Sequence, residues 1–313
     1  MRKFVFCLLA FPLAAHAFPT KPVRIVVPFG PGGVADITAR VVAPKMAQGL
    51  GQPVLIENKP SAGGVLAGQE VARAEPDGHT LLLISNGTAV SKALFKSLPY
   101  EPSGFGMIST IGFFPLVILA DPKSPFRGPQ DVVAEAKRNP GRLNAGTIGV
   151  GSTQNLAAEL FKSTSGIDFQ IIPYKNTGEV VAAARSGDAH FVFEILAPAM
   201  SHIRSGSLRA LAITSARRFP GLPDIPTAIE QGIAGYDVAS WNGLAAPPGT
   251  PGSTISILQR ELARALATPD VQKRFGELGV EARASTPDEL REFFASETAR
   301  WARVVEAAKI PKQ

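Results

Sequence analysis

The chain alternates short apolar, β-branched runs with longer stretches in which apolar residues recur every three to four positions. That switching of period predicts an α/β fold. Residues 23–29 read as a first strand, and residues 36–50 as a helix with Ile37, Val41 and Val42 on one face. Pro44 has no N–H to give, so it is predicted to bend that helix or to end its first half. A strand over 54–58, a helix over 65–74 and a buried-type strand over 81–85 follow, and then Asn86-Gly87-Thr88, whose polar members suit a cap or a turn. Residues 116–120 are one more strand, and the proline-rich stretch 121–125 reads as a passage into a second lobe. The alternation then repeats, with helices over 129–138, 155–163, 179–186 and 198–205 and strands over 143–147, 169–173, 189–194 and 208–214. Proline and glycine become dense over 219–235, and 241–251 reads as the return passage. Helices over 254–267, 269–278 and 287–308, with a short strand at 280–282, complete the chain. The expected division is one discontinuous lobe, 18–121 plus 243–313, and an inserted lobe, 122–242, joined by a hinge of two crossings.

The first residues add a destination. Arg2 and Lys3 precede an apolar run over 4–14, and Ala15-His16-Ala17 is a small-residue cleavage site. The run is too short to span a bilayer, so 1–17 reads as an export signal cut near Ala17, which sends the mature chain out of the cytoplasm. Cys7 is the only cysteine and leaves with the signal, so no disulfide, thiol nucleophile or cysteine metal site is expected. The net charge of +6 falls to +4 without Arg2 and Lys3, with acids and bases interspersed. A phosphate-tracking protein clusters its charge, so nucleic acid is not an expected partner. A mild positive field suits a small anion, and equally an ordinary soluble surface.

Two glycine turns carry the candidate chemistry: Phe29-Gly30-Pro31-Gly32-Gly33-Val34-Ala35-Asp36 and Gly146-Thr147-Ile148-Gly149-Val150-Gly151-Ser152-Thr153. Each follows a strand-like run and opens a helix-like one. A helix start carries unpaired N–H groups and the positive end of the dipole, and glycine lets a ligand come close. Neither turn has a P-loop lysine, and neither completes a dinucleotide fingerprint. A generic anion site remains, beside the plain reading as tight strand-to-helix turns. Ser152, Thr153, Gln154 and Asn155 supply donors at the second helix start, and Ser85, Asn86 and Thr88 supply more. Asp36 reads as a dipole or capping carboxylate, or as the group that holds loop N–H groups. Glu194 ends an apolar strand, as an acceptor at the cleft rim or as a structural ion pair. His79, His190 and His202 are far apart and lack metal-ligand spacing, so no metal, cofactor or catalytic set is expected.

Several longer motifs carry a resemblance. They are Pro28-Phe29-x-Pro31-Gly32-Gly33-x-x-Asp36-x-x-Ala39-Arg40, Glu57-Asn58-Lys59-Pro60-x-Ala62-Gly63-Gly64, Pro76-Asp77-Gly78-x-Thr80-Leu81-Leu82, Pro173-Tyr174-Lys175 and Leu222-Pro223-Asp224-Ile225-Pro226-Thr227. With these, nearly the whole mature chain resembles the substrate-binding proteins of tripartite tricarboxylate transporters, the Bug-type periplasmic receptors. The resemblance implies a two-lobe, type II Venus-flytrap binding protein and a non-enzymatic role. It implies a monomer that passes a small carboxylate to membrane permease subunits. Phe29, Gly32, Gly33, Asp36, Ser85, Asn86, Thr147, Gly151, Ser152 and Thr153 carry over as site residues. Members often have His at the position of Asn155 and Asp at that of Glu194, which places both near the site. A dicarboxylate is the first expected ligand, an aromatic acid or amide the second. Two other readings stay open at this point: an exported hydrolytic enzyme using Ser152 or a cleft acid, and a sensory receptor that presents its ligand to a membrane kinase.

Overall fold

Val23, Ile25, Val26 and Val27 are sealed from solvent and form the middle strand of the first sheet. The computed structural model describes residues 18–313; the export signal expected at 1–17 lies outside them. In chain order the elements are β1 (Val23–Val27), α1 (Val34–Leu50), β2 (Val54–Asn58), α2 (Val65–Ala72), β3 (Thr80–Ser85), α3 (Asn86–Leu94), β4 (Gly106–Ala120), α4 (Pro129–Arg138), β5 (Asn144–Ile148) and α5 (Thr153–Ser165). They continue with β6 (Gln170–Tyr174), α6 (Thr177–Ser186), β7 (Phe191–Ile195), α7 (Leu196–Arg204), β8 (Arg209–Ile213), β9 (Ala239–Ala246), α8 (Gly252–Leu266), α9 (Pro269–Glu277), β10 (Glu281–Ala282) and α10 (Pro287–Ala307).

The two sheets share one plan. In the first, β1 lies parallel between β2 and β3, and β3 pairs antiparallel with β9. In the second, β5 lies parallel between β6 and β7, and β7 pairs antiparallel with β4. Each glycine turn therefore leaves the middle strand of a parallel trio. In open α/β sheets, ligands bind outside the carboxyl ends of such strands. β4 belongs to both sheets: residues 106–115 pair with β9, and 116–120 pair with β7 and β8. The chain returns at Val238, whose N–H reaches Thr214 of the second sheet, and Ala239, which pairs with Pro115 of the first. The molecule is thus a two-lobed α/β protein whose lobes are joined through paired strands.

Packing follows the same division, with one exception. Val23, Ile25, Met46, Leu81, Leu258 and Phe275 make a core between the first sheet and helices α1, α8 and α9. Phe161, Phe169, Phe191, Phe193 and Tyr236 form the centre of the second lobe, with edge-to-face ring contacts. Val90 and Leu94 of α3 and Trp301 and Val304 of α10 join that second core. Helices next to the first sheet therefore also pack on the other lobe.

Four elements differ from the sequence expectation. The strand read at 116–120 is only the tail of β4. Its first part, Gly-Met-Ile-Ser-Thr-Ile-Gly, holds residues that read as breakers, yet Ser109 and Thr110 are satisfied by Ser285 and Arg283 in the segment around β10. The stretch from Trp241, read as a passage, is mostly strand β9. A Cβ at its Gly243 would lie 3.1 Å from the Ser109 carbonyl oxygen, so the glycine permits close pairing with β4. No helix was expected after Asn86-Gly87-Thr88, yet these residues form the first turn of α3; of the two readings, cap or turn, the cap holds, with the Ser85 N–H donating to Thr88 Oγ1 at 3.3 Å. Pro44 neither ends nor divides α1, which runs through it from Val34 to Leu50; burial of Val42, Ala43 and Met46 on either side outweighs the one lost hydrogen bond.

Candidate functional site

The first turn is held by Asp36. Its Oδ2 accepts the Gly32 N–H at 2.9 Å, and its Oδ1 accepts Arg40 Nε at 2.9 Å and Asn58 Nδ2 at 2.8 Å. Asn58 also donates to the Phe29 carbonyl at 3.0 Å and accepts from Arg40. Burial acts to raise the Asp36 pKa, but Arg40, the Gly32 N–H and Asn58 outweigh it and hold the carboxyl below its usual range. Asp36 is thus an ionised support for the loop, with its charge already answered. Gly32 has φ +83°, where only glycine is unstrained. Gly33 begins α1 with no side-chain cap, so the first N–H groups of the helix remain available. Phe29 is exposed at the tip of the turn.

The second turn repeats the device. Asn155 Oδ1 accepts the Gly151 N–H at 3.1 Å, and Gly151 has φ +80°. Ser152 caps α5, accepting the Asn155 N–H at 3.1 Å and donating to the Ile148 carbonyl at 3.0 Å. Its hydroxyl is committed to the cap and meets no base, which removes the support for a Ser152 nucleophile. His79, His190 and His202 use ring nitrogens on Thr20, Asn144 and Ser207. Thr147, at the end of β5, is buried with an unpartnered hydroxyl.

Glu194, at the end of β7, is buried beside α5. Its Oε1 accepts Gln154 Nε2 at 2.8 Å and the Ile195 N–H at 2.7 Å, while Oε2 has no partner. Burial pushes its carboxyl above the ordinary range; Gln154, the Ile195 N–H and Thr177 pull the other way without offsetting it. Among the described residues Glu194 forms no ion pair, so of its two readings, cleft-rim acceptor or structural ion pair, the second is not supported. Asn86 is buried and committed: its Oδ1 accepts the Trp241 N–H at 3.2 Å, and its Nδ2 faces Ala239 and Glu297.

What brings the turns together is β9, which the sequence reading did not include in the site. Thr38 of α1 meets Asn242 Nδ2 at 3.3 Å, and Thr153, the first residue of α5, meets Ser240 Oγ at 3.4 Å. Ser240 and Asn242 are two apart on one strand, so they share a face about 7 Å from one another. Ser85 pairs with Asn242 in register. The two helix starts and the end of β3 therefore converge on one face of β9, at the junction of the lobes. Asn242 and Ser240 carried no signal by type; only their pairing places them. Arg40 and Asn58 lay inside the quoted motifs, but without a reason to link them to Asp36.

Two surface concavities lie elsewhere. One of about 610 Å³ is lined by Lys123, Arg142 and His190 near the starts of β5 and β7; one of about 560 Å³ lies between α3 and α10. Neither contains any of the twelve candidate residues. Among the described residues, no group of three or more His, Cys, Asp or Glu is placed to hold a metal, and no helix is long and apolar enough to cross a membrane.

Two lobes joined through paired strands, with one helix start from each facing their junction, form a two-lobed cleft of the periplasmic-binding-protein class; the matched family and solved structures are substrate-binding proteins rather than enzymes. The model for the tripartite tricarboxylate transporter family receptors matches residues 38–310, and the chain belongs to that family. It is similar to the periplasmic binding protein BugD, with 32% identity, a TM-score of 0.80, and 95% of this chain and 100% of that one covered. It is similar to MatC of Rhodopseudomonas palustris, solved with bound malate: 34% identity, TM-score 0.79, 92% and 100% covered. Rpa4515 of R. palustris, solved with adipate, matches at 30% identity and TM-score 0.83, with 95% and 100% covered.

Proposed function

We propose that this chain is a periplasmic receptor that captures a small carboxylate at the junction of its lobes and passes it to the permease subunits of a tripartite transporter. The observation that carries this reading is the convergence of α1 and α5 on one face of β9. Two helix starts offer N–H donors and two positive dipole ends to one small volume, which favours an anion. None of the twelve candidates is cationic, and Arg40 is already spent on Asp36. The ligand's charge is therefore met by dipoles and neutral donors. Phe29, Gly32, Gly33, Ser85, Thr147, Gly151, Ser152, Thr153, Asn155 and Glu194 are proposed around the ligand, with Asp36 and Asn86 supporting them from behind.

MatC with malate and Rpa4515 with adipate both hold dicarboxylates, which supports a dicarboxylate as first choice, before an aromatic acid or amide. Export to the periplasm rests on the pattern of residues 1–17. The lobes are proposed as 18–121 plus 243–313 and 122–242, with the chain passing between sheets near Pro115 and Val238. The receptor is proposed to act as a monomer, without metal or cofactor.

A thermal-shift screen with malate, adipate, citrate, benzoate, nicotinate and nicotinamide tests the reading. A ligand at about 100 times its Kd should add about 2.7 kcal/mol of stability. Stabilisation by at least one carboxylate, and none by neutral sugars, is the expected outcome. No shift with any acid, with a sugar or an amine stabilising instead, would reject the carboxylate site.

A further inference from the structure

The two turns are built alike but leave different atoms over. In the first, Asp36 accepts the N–H of the residue four before it, and its second oxygen is filled by Arg40 and Asn58. In the second, Asn155 accepts the Gly151 N–H in the same i−4 geometry. Its other group, Nδ2, donates to nothing among the described residues, although the side chain is only 4% exposed. Nor is Nδ2 among the buried atoms sealed from contact, so it remains within reach of a ligand. Because an N–H donor occupies the Oδ1 side, the amide orientation is fixed and the NH2 faces away from the turn. Glu194 joins the same helix start from β7 through Gln154, but its free oxygen and the Thr147 hydroxyl are sealed from solvent. The loop support of the first lobe is satisfied within itself, whereas Asn155 leaves an accessible donor at the start of α5.

We propose that Asn155 is the specificity-determining residue of the second lobe. Its Oδ1 fixes the turn, and its Nδ2 donates to an oxygen of the bound carboxylate. This rests on the carboxylate reading above and deepens it. Asp36 and Asn155 then divide two tasks that their shared geometry would suggest are one: Asp36 only shapes its turn, and Asn155 both shapes its turn and touches the ligand. An amide here admits an acceptor oxygen and repels nothing. A carboxylate here would keep the turn and place a negative charge against the ligand.

The test separates the two roles of the side chain. Asn155→Asp keeps an acceptor for the Gly151 N–H and removes the donor. Asn155→Ala removes both. Kd is measured by calorimetry for the wild type and both variants with malate, adipate or benzoate, whichever gives the largest thermal shift. The expected order is wild type tightest and Asn155→Asp weakest, at least about tenfold weaker, with the unliganded melting temperature of Asn155→Asp close to the wild type. If Asn155 only holds the turn, Asn155→Asp binds like the wild type and Asn155→Ala is the weaker variant; that order overturns the proposal. Should Asn155→Ala not fold, an Asn155→Asp affinity equal to the wild type overturns it alone. Failure of the carboxylate reading is distinct, because there the wild type itself shows no carboxylate binding.

Discussion

Glu194 sits at the end of β7 with two N–H donors on one oxygen and none on the other, and burial raises its pKa with no cation to oppose it. Asp36 is the reverse case: its side chain is also little exposed, but it lies less deep, and Arg40, Gly32 and Asn58 hold it ionised. The difference gives opposite signs of pH dependence. A carboxyl with a lowered native pKa contributes stability above its unfolded value, about 3.9 for Asp, and loses it as pH falls through the native value. A raised native pKa means that the folded state holds its proton more tightly than the unfolded chain. Stability then falls as pH rises from about 4.3, the ordinary Glu value, to the raised one. Glu194→Gln removes that penalty. Its melting temperature relative to the wild type should therefore rise between about pH 4 and pH 8. A difference that stays constant over that range would show that ionising Glu194 costs nothing. The residue types at positions 36 and 194, and Arg40 one helical turn beyond Asp36, were visible in the sequence; that Asn58 reaches Asp36 and that Glu194 is enclosed were not, because both follow from the packing of other segments.

At the scale of elements, the glycines of the turns are not equivalent. Gly151 combines φ +80° with close packing: an added Cβ would lie 2.6 Å from Leu94 Cδ1 of α3. Gly33 has φ −76°, and a Cβ there would meet only the Gly30 carbonyl oxygen at 3.9 Å. Gly151→Ala is expected to cost about 1–2 kcal/mol from backbone strain, with a further cost from the clash, and to weaken ligand binding. Gly33→Ala should leave stability nearly unchanged; denaturant midpoints of the two variants check the contrast. Equal midpoints would remove the packing of Leu94 against the second turn as a constraint. In the parallel trios, β1, β3 and β7 were legible because buried strands read as apolar runs, and β2, β5 and β6 from the repeating alternation of strand and helix. β9, the first part of β4 and α3 were not. Their Asn, Gly, Ser and Thr residues look like turn formers, and they are tolerated only because partners in distant segments satisfy them.

For the whole molecule, the decisive feature is that β4 and β9 carry the chain between lobes while paired to each other. A hinge made of two adjacent strands permits rotation of the lobes, with the packing of α3 and α10 on the second core shifting as they move. A carboxylate that touches both turns would bind the closed arrangement better and shift the population toward it. Small-angle scattering should accordingly show a smaller radius of gyration when the receptor is saturated with its stabilising acid. An unchanged radius would mean that capture does not close the cleft. Periodicity and glycine placement, which are local properties of the chain, determined the α/β class, the doubled plan and the two helix starts. The tertiary structure decided that both starts meet on Ser240 and Asn242, that Asp36 is already paired, and that Asn155 is left with a free donor. The first of those facts depends on segments that lie side by side across more than 80 residues of sequence, and the others on how the side chains around each turn pack; a local pattern of residue types carries no record of either.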